Sequence, residues 1–358
     1  MKIKRQRSRK PKFQPFWITF VQLSSLFGLL CVAILGLTHL QPGTEKVSKQ
    51  YESHRMMYFD KRTGLPSKGC FKQLRHVLVQ EYVSRWTHSW ETLKKIAPEK
   101  VLRASPLLND NSTLLASKVK MFIATGYCCF SSGSSITSPP LNARYVRVYK
   151  AGNDAIRENM EKLGGKRRVL PRGRGTRIGA NDILFTFVRE PAERWVAGYH
   201  ELETRWFDEN PINLTDKCPT CIFPKFKQGS KERVWAFLHD LLALKLNSMS
   251  EIEHVFPEAG ILSRVPRMDF VGRLENFDKD WKVLLHDHLQ RPNYTWDSSL
   301  GKHNSSMDPF YTKKAGLDLL QHDQGFTGIL ETILFKDYLC FGYPRRTKSP
   351  RTEEHILH

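Results

Sequence analysis

The chain has 358 residues, of which 40% are hydrophobic, and a formal net charge of +20 at pH 7. This length and apolar content exclude an intrinsically disordered chain, because they suffice for a full hydrophobic core. The charge favours an anionic partner. This partner is not expected to be a nucleic acid, because the sequence contains no zinc-finger or RNA-binding consensus.

The N-terminus has the pattern of a membrane anchor. Residues 1–15 contain seven lysines and arginines and no acidic residue, and residues 16–40 contain no charged residue. Such a run exceeds the ~7–15 apolar residues of a secretory signal and is long enough to cross a bilayer. Because positive flanks stay in the cytoplasm, we predict a cytoplasmic tail over 1–15, a transmembrane signal-anchor over 16–40 and a luminal remainder, the topology of a single-pass type II protein.

The luminal part is predicted to begin with a linker. Residues 41–68 are polar and contain prolines and glycines, which is typical of a stem. A domain follows over 69–345, and residues 346–358 form a C-terminal tail. Apolar residues at helical spacing predict a helix over 70–96, and the Ser- and Pro-rich segment 131–140 predicts a loop.

Six cysteines follow the anchor, an even number that indicates disulfides in an oxidising compartment. Cys218 and Cys221 are predicted to form a disulfide rather than a metal site, because a structural zinc site needs four ligands and no second Cys-x-x-Cys occurs. No metal is expected. Four glycosylation sequons agree with a luminal glycoprotein, and they lie at Asn111, Asn213, Asn293 and Asn304.

The first chemically informative segment surrounds Lys150. A strand is predicted over 146–149 and a helix over 155–163. The turn between them offers an ammonium group and backbone N–H groups to an anion at the N-terminus of the helix. Residues 164–177, with six basic residues and four glycines, are predicted to be a flexible loop that either clamps an anionic acceptor or is merely solvated.

A second strand and helix follow, over 183–188 and 191–206, and Arg189 stands where the strand ends. The helix has a predicted core face formed by Trp195, Tyr199, Leu202 and Trp206. A different face carries Ala197, His200 and Thr204.

The remaining pattern alternates strands with helices. Helices are predicted over 231–246, 276–288 and 326–336, a strand over 268–274, and an insertion near 207–230. This alternation favours an α/β fold with a largely parallel, P-loop-like sheet flanked by helices on both faces. Ligands of such sheets bind at the carboxyl ends of the strands, where both turns fall.

The two turns, together with Asp269–Phe277 and Phe341-Gly342-Tyr343, resemble the motifs of the Golgi membrane-bound carbohydrate sulfotransferases. The resemblance implies 3′-phosphoadenylyl sulfate (PAPS) as donor, a glycan acceptor for which the charge suggests an acidic polymer, and a catalytic domain in the Golgi lumen. It implies that the donor is held by Lys150, Ala151, Gly152, Asn153, Asp154, Arg189, Arg194, the position of Ala197, Tyr199 and Arg273.

Two departures from the family pattern affect the donor site. Ala197 replaces a usual serine, and a lost neutral hydrogen bond costs roughly 1 kcal/mol, or about fivefold in affinity. Asn153 and Asp154 stand where small hydroxyl or thiol residues are common. Asp154 would repel a phosphosulfate unless it turns away to cap the helix.

Three residues are candidates for catalysis. Lys150 is expected to stabilise the leaving phosphate. His254, in a stretch that resembles the His-x-x-Pro-Gln of several carbohydrate sulfotransferases, and His200 are the candidate bases, with Glu201 at the margin of the same cleft.

The sequence bears on three other functional classes. The chain lacks the Gly-x-x-x-x-Gly-Lys-Ser/Thr of P-loop NTPases. A Golgi glycosyltransferase would share the anchor, stem and sequons, but the one Asp-x-Asp of the chain, Asp278-Lys279-Asp280, lies inside the helix predicted over 276–288. The alternative that stays open is a catalytically weak or inactive sulfotransferase-like protein that binds glycans, because the departures all affect the donor site.

Overall fold

A computed structural model describes residues 59–60, 65–66, 78–105, 117, 135–138, 143–168, 181–204, 218–246, 250–262, 268–299 and 310–347. The chain divides into two units, Met1–Tyr51 and Glu52–His358, and every described residue belongs to the second. The predicted tail and anchor over 1–40 lie outside the described residues. None of the helices in the described ranges has the length and hydropathy of a membrane span.

The described strands are β1 (Phe59–Asp60), β2 (Leu65–Pro66), β3 (Ser135–Ser138), β4 (Ala143–Tyr145), β5 (Lys166–Arg168), β6 (Ile183–Val188) and β7 (Phe270–Arg273). The described α-helices are α1 (Leu78–Ile96), α2 (Glu99–Ala104), α3 (Asn153–Lys162), α4 (Pro191–Glu203), α5 (Lys231–Leu242), α6 (Glu258–Leu262), α7 (Phe277–Val283), α8 (Phe310–His322), α9 (Gln324–Ile333) and α10 (Phe335–Phe341).

The main sheet has the strand order β5-β3-β4-β6-β7. Strands β4, β6 and β7 are parallel, with Tyr145 opposite Phe185 and Phe185 opposite Phe270. Strand β3 is antiparallel to both of its neighbours. The predicted α/β fold with a parallel sheet is therefore confirmed for three strands, and the edge of the sheet is antiparallel.

Alternate residues of β6 belong to different cores. Phe185 and Phe187 pack with Trp281 and with residues of α3, whereas Leu184 and Val188 pack with residues of α6 and α10. Side chains of successive strand residues point to opposite faces, so helices cover this sheet on both sides. The strand predicted over 183–188 is confirmed to the residue.

A third core lies among the helices. It contains tryptophans of α1, α4 and α5 that are almost completely buried, Trp90, Trp195 and Trp235. On α4, Tyr199 and Leu202 are also buried, so the predicted core face of this helix is confirmed for its described members. The helix begins at Pro191, where the missing N–H costs nothing, and the Glu190 carboxylate accepts a 2.6 Å hydrogen bond from the N–H of Glu193.

Several predictions of elements were wrong. Strand β4 ends at Tyr145, and the β-branched residues Val146 and Val148 are buried in the irregular segment that follows it. Strand β3 lies inside the segment predicted to be a loop, and β5 lies inside the predicted loop 164–177, whose residues from 169 to 177 are outside the described residues. Helix α8 was not predicted.

The two cysteines of the Cys-Pro-Thr-Cys segment form a disulfide, as predicted for Cys218 and Cys221. Both are buried beside α5. Within the described ranges no group of three or more His, Cys, Asp or Glu side chains is placed to hold a metal ion.

Candidate active site

The turn after β4 has an unusual backbone. Lys150 has φ +65° and Gly152 has φ +79°, both in the left-handed region. This conformation costs a residue with a side chain about 1–2 kcal/mol, so Lys150 is held there against its preference, as is common in binding loops. A Cβ on Gly152 would lie 3.0 Å from Leu274 Cδ1, so the turn packs closely on the segment after β7.

The residues that open α3 contact the protein in different ways. The Tyr145 hydroxyl donates to Asn153 Oδ1, which fixes this side chain below the turn. Asp154 is exposed and forms an ion pair at 3.0 Å with Arg157 one turn along the helix. The helix has no side-chain cap, so Asp154 does not cap it, and the Asp154 carboxylate is paired with Arg157 instead.

Lys150 forms an ion pair with Glu201 of α4. The two side chains are 24% and 16% exposed, so the pair is partly buried and within reach of solvent. Coulomb attraction is stronger at such a partly buried position than in bulk water. A lysine and a carboxylate from separate motifs therefore meet at the first turn.

Arg189 lies at the carboxyl end of β6, as predicted. Its Nη2 is 3.2 Å from Glu193 Oε2, and its side chain is 22% exposed. Arg346 also binds Glu193, at 2.8 Å, and binds Glu190 at 3.1 Å. Burial acts to raise the pKa of Glu193, but the hydrogen bonds from Arg346 and Arg189 outweigh it and lower this pKa. Two guanidinium groups thus share one carboxylate.

Arg346 was not predicted as part of the site. It was assigned to the C-terminal tail, and no local pattern connects it with α4, because more than 150 residues separate it from Glu193. Only the folded chain brings the two together.

Arg194 has a different position from the one that the resemblance implied. Its side chain is fully buried, donates 3.1 Å to the carbonyl of His254 and also donates to the carbonyl of Phe256. Its Nε lies 3.3 Å from Glu258 Oε1. These contacts direct the guanidinium into the protein, so Arg194 holds the His254 segment against α4 and is not placed to contact a ligand.

Tyr199 likewise lies in the core. Its hydroxyl donates 2.7 Å to Glu203, which also accepts 2.6 Å from Arg233 Nε. Burial raises the pKa of the Tyr199 hydroxyl well above its usual value. The interpretation of Tyr199 as a donor-binding residue therefore has no support from its surroundings, and its place in the helical period with Trp195 already indicated the core.

The two candidate histidines have different neighbours. His254 is 7% exposed, and its ring lies 4.2 Å from the ring of Tyr149, directly before Lys150. His200 is 8% exposed and its Nδ1 is hydrogen-bonded to Thr312 of α8. The structure thus brings His254 to the first turn and joins His200 to a neighbouring helix.

Close packing fixes the His254 segment on α4. A Cβ on Gly198 would lie 2.1 Å from the carbonyl oxygen of His254, so only glycine permits this approach. Ala197 is 8% exposed beside it, on the helix that carries both Glu193 and Glu201.

Arg273 connects the Asp269–Phe277 motif with the Phe341-Gly342-Tyr343 motif. Its Nη2 donates 2.5 Å to the carbonyl of Phe341, and its guanidinium lies 5.0 Å from the ring centroid of Tyr343. The Tyr343 hydroxyl in turn donates 2.8 Å to Glu275. These motifs therefore meet in space.

Two buried carboxyl groups lie behind Arg189 and Arg194. Glu258 Oε1 accepts a 3.3 Å hydrogen bond from the N–H of Arg189, and Asp337 accepts bonds of 2.9 and 2.7 Å from the N–H groups of Glu258 and Ala259. Burial raises the pKa of Glu258 well above its usual range and that of Asp337 to about 6.

These raised pKa values predict a pH dependence. Between pH 4 and 6 the folded chain keeps the Asp337 proton that the unfolded chain releases, so this group's contribution to stability falls as the pH rises. We expect the free energy of unfolding of the wild type minus that of Asp337→Asn to decrease from pH 4 to 6 and to level above pH 7. Urea denaturation at each pH measures it, and a difference that grows with pH would contradict the assignment.

Comparison of the chain with known protein families, with curated proteins and with solved structures gives no match.

Proposed function

We propose that the chain transfers a sulfuryl group from PAPS to a hydroxyl group of a glycan in the Golgi lumen. The observation that carries the proposal is the position of two cationic turns. Lys150 follows β4 and Arg189 follows β6, and these strands are adjacent and parallel. The carboxyl ends of neighbouring parallel strands lie at one edge of a sheet, which is where ligands of such folds bind.

The electrostatics of these turns suit a ligand with several negative charges. Lys150 and Arg189 are each partly exposed, and their carboxylate partners Glu201 and Glu193 can be displaced by a phosphate group of higher charge. The left-handed backbone at Lys150 and Gly152 also permits close approach of an anion to the N-terminus of α3.

The proposed chemistry assigns a role to each group near the first turn. The acceptor oxygen forms a bond to sulfur, the bond between sulfur and the phosphate oxygen breaks, and the acceptor hydroxyl gives its proton to a base. Lys150 stabilises the charge that develops on the leaving phosphate. Glu201, which the donor phosphate displaces from Lys150, is the proposed base, because its carboxylate is then available beside the reacting groups.

The donor site is tested by Arg189→Ala. We expect this variant to weaken the binding of adenosine 3′,5′-bisphosphate by about 10- to 150-fold, the equivalent of about 1.5–3 kcal/mol for hydrogen bonds to a charged group. Ala197→Ser, which restores a hydroxyl group to α4, should tighten binding modestly. Isothermal titration calorimetry measures both.

Arg103→Ala is the matched control, since it removes an arginine that is paired with a glutamate but is 77% exposed on α2. It should bind the nucleotide like the wild type. Equal affinity of Arg189→Ala and the wild type would show that the motif match is accidental. A chain that binds glycans but no nucleotide at all would establish the glycan-binding alternative.

The base is tested by Glu201→Gln. We expect turnover to fall by about 10²- to 10⁴-fold, the usual contribution of a general base, while nucleotide affinity stays the same or rises because a competing carboxylate is removed. His254→Gln and His200→Gln are measured beside it. If His254→Gln loses turnover and Glu201→Gln retains it, the base is His254.

A further inference from the structure

A cavity of about 560 Å³ lies at the C-terminal end of α3. Helix α3 begins next to the Lys150 turn and has 10 residues, so its two ends are about 15 Å apart and the cavity lies away from that turn. The cavity is bounded by Asn159 and Lys162 on this helix and by the segment 293–298. None of the residues assigned to sulfuryl transfer lines it.

The walls combine aromatic rings with polar groups. Trp296 packs against Phe277, at 4.1 Å between ring centroids, and against Trp281, at 5.3 Å, which also lines the cavity. Tyr294 is 46% exposed, one of two large hydrophobic side chains in the described part of the chain with such exposure. An open aromatic surface beside hydrogen-bonding groups is chemically suited to a sugar ring, whose C–H face is apolar and whose edge carries hydroxyl groups.

The polar side of the cavity is fixed by internal contacts. Asn159 accepts 2.9 Å from the N–H of Asp297 and donates 3.2 Å to its carbonyl. Lys162 forms an ion pair with the carboxylate of Asp297. Helix α3 thereby holds the segment after Tyr294 in place, so the aromatic surface is preformed.

The cavity contains its own attachment point for a sugar. Asn293 lines it, is exposed, and begins the sequon Asn293-Tyr294-Thr295. Asparagine in such a sequon is the acceptor of N-linked glycans in secreted chains. We propose that Asn293 carries an N-linked glycan whose first sugars lie in this cavity against Tyr294 and Trp296.

The modification needs a lipid pyrophosphate-linked oligosaccharide as co-reactant. The bond between C1 of its first sugar and the pyrophosphate oxygen breaks, a bond forms between C1 and Asn293 Nδ2, and the amide loses one proton. The inference rests on the luminal location contained in the proposed function.

Occupancy is tested on the full chain made in cells with a secretory pathway. Enzymatic deglycosylation in H₂¹⁸O converts each glycosylated asparagine to a labelled aspartate, and peptide mass spectrometry then compares Asn111, Asn213, Asn293 and Asn304. We expect label at Asn293. Label at other sequons with none at Asn293 would overturn this inference and leave the luminal location intact. No label at any sequon would overturn both.

The position of the glycan in the cavity is tested by thermal unfolding. We expect trimming of the glycan to lower the melting temperature of the wild type by about 2–4 °C and to leave that of Tyr294→Ala unchanged. Ser306→Ala, which removes the Asn304 sequon, should keep the wild-type response. If trimming lowers the melting temperature of Tyr294→Ala as much as that of the wild type, the proposed position of the glycan against Tyr294 is wrong.

A second pair separates the glycan from another occupant. Thr295→Ser keeps the sequon and Thr295→Ala removes it, and we expect only the second to lose label at Asn293 and the response to trimming. Binding of free oligosaccharides by the glycosylated wild type, with its loss in Tyr294→Ala, would overturn the proposal, because the cavity would then be open to an acceptor.

Discussion

Lys150→Ala is expected to lower turnover at saturating donor by about 10²- to 10³-fold, the loss typical of removing one group that stabilises charge in a transition state. Nucleotide binding should weaken less than turnover falls, because the proposed function gives Lys150 a role in stabilising the charge that develops on the leaving phosphate in the transition state. Lys150→Arg should recover only part of the rate, since a planar guanidinium does not replace a compact ammonium in a strained turn. Transfer of radiolabelled sulfate to a panel of glycans measures these rates.

Lys94→Ala provides the matched control, because Lys94 on α1 is also partly buried, at 20% exposure, and also paired with a glutamate at 3.1 Å. It should leave turnover unchanged. If Lys150→Ala keeps full activity on any glycan that the wild type sulfates, the assignment of this turn to the phosphosulfate is wrong. The glycan-binding alternative would then be favoured.

Arg194→Met is expected to destabilise the fold by about 3–5 kcal/mol, the range for breaking a buried ion pair from one side. The change leaves Glu258 buried without its cation and removes the donors to the carbonyls of His254 and Phe256. Urea denaturation monitored by tryptophan fluorescence measures the loss. The double variant Arg194→Met/Glu258→Gln should recover part of it, because the unpaired carboxylate is then gone.

The same variant separates a structural role from a ligand contact. If Arg194→Met keeps wild-type stability and loses nucleotide affinity, then Arg194 contacts the donor and its buried position described above is wrong. Arg103→Met, at an exposed position on α2, should change stability by less than about 0.5 kcal/mol.

Local patterns predicted the parts of the fold in which burial and backbone structure agree. Strand β6 is a short apolar run bounded by polar residues, and α4 has an apolar period that matches its buried face. Both could therefore be predicted closely. Val146 and Val148 misled the prediction because they are buried in irregular backbone, where β-branched residues serve the core without pairing in the sheet.

Pairings between distant segments could not be predicted. Strand β3 consists of serine, isoleucine and threonine in a segment that looks like a loop, and it forms only because β4 and β5 lie on either side of it. At the site, the position of Arg189 followed from the end of β6, whereas Lys150 stands after an irregular segment that was predicted to be a strand. The contacts of Arg346 with Glu190 and Glu193 depend on the folded chain. The buried positions of Arg194 and Tyr199 show that a motif match does not separate residues that hold a ligand from residues that hold the loop.

The two glutamates of α4 that pair with Lys150 and Arg189 determine which anions can bind at this site. Glu193 and Glu201 are eight residues apart on one helix, or about 12 Å, and they lie against Arg189 and Lys150 respectively. A chloride ion carries no more charge than either carboxylate and gains little by replacing it, whereas a molecule with phosphate groups at both ends replaces the two at once. Despite the excess of basic residues in the chain, this site should therefore discriminate against simple salts and respond to doubly phosphorylated molecules that match the spacing on this helix.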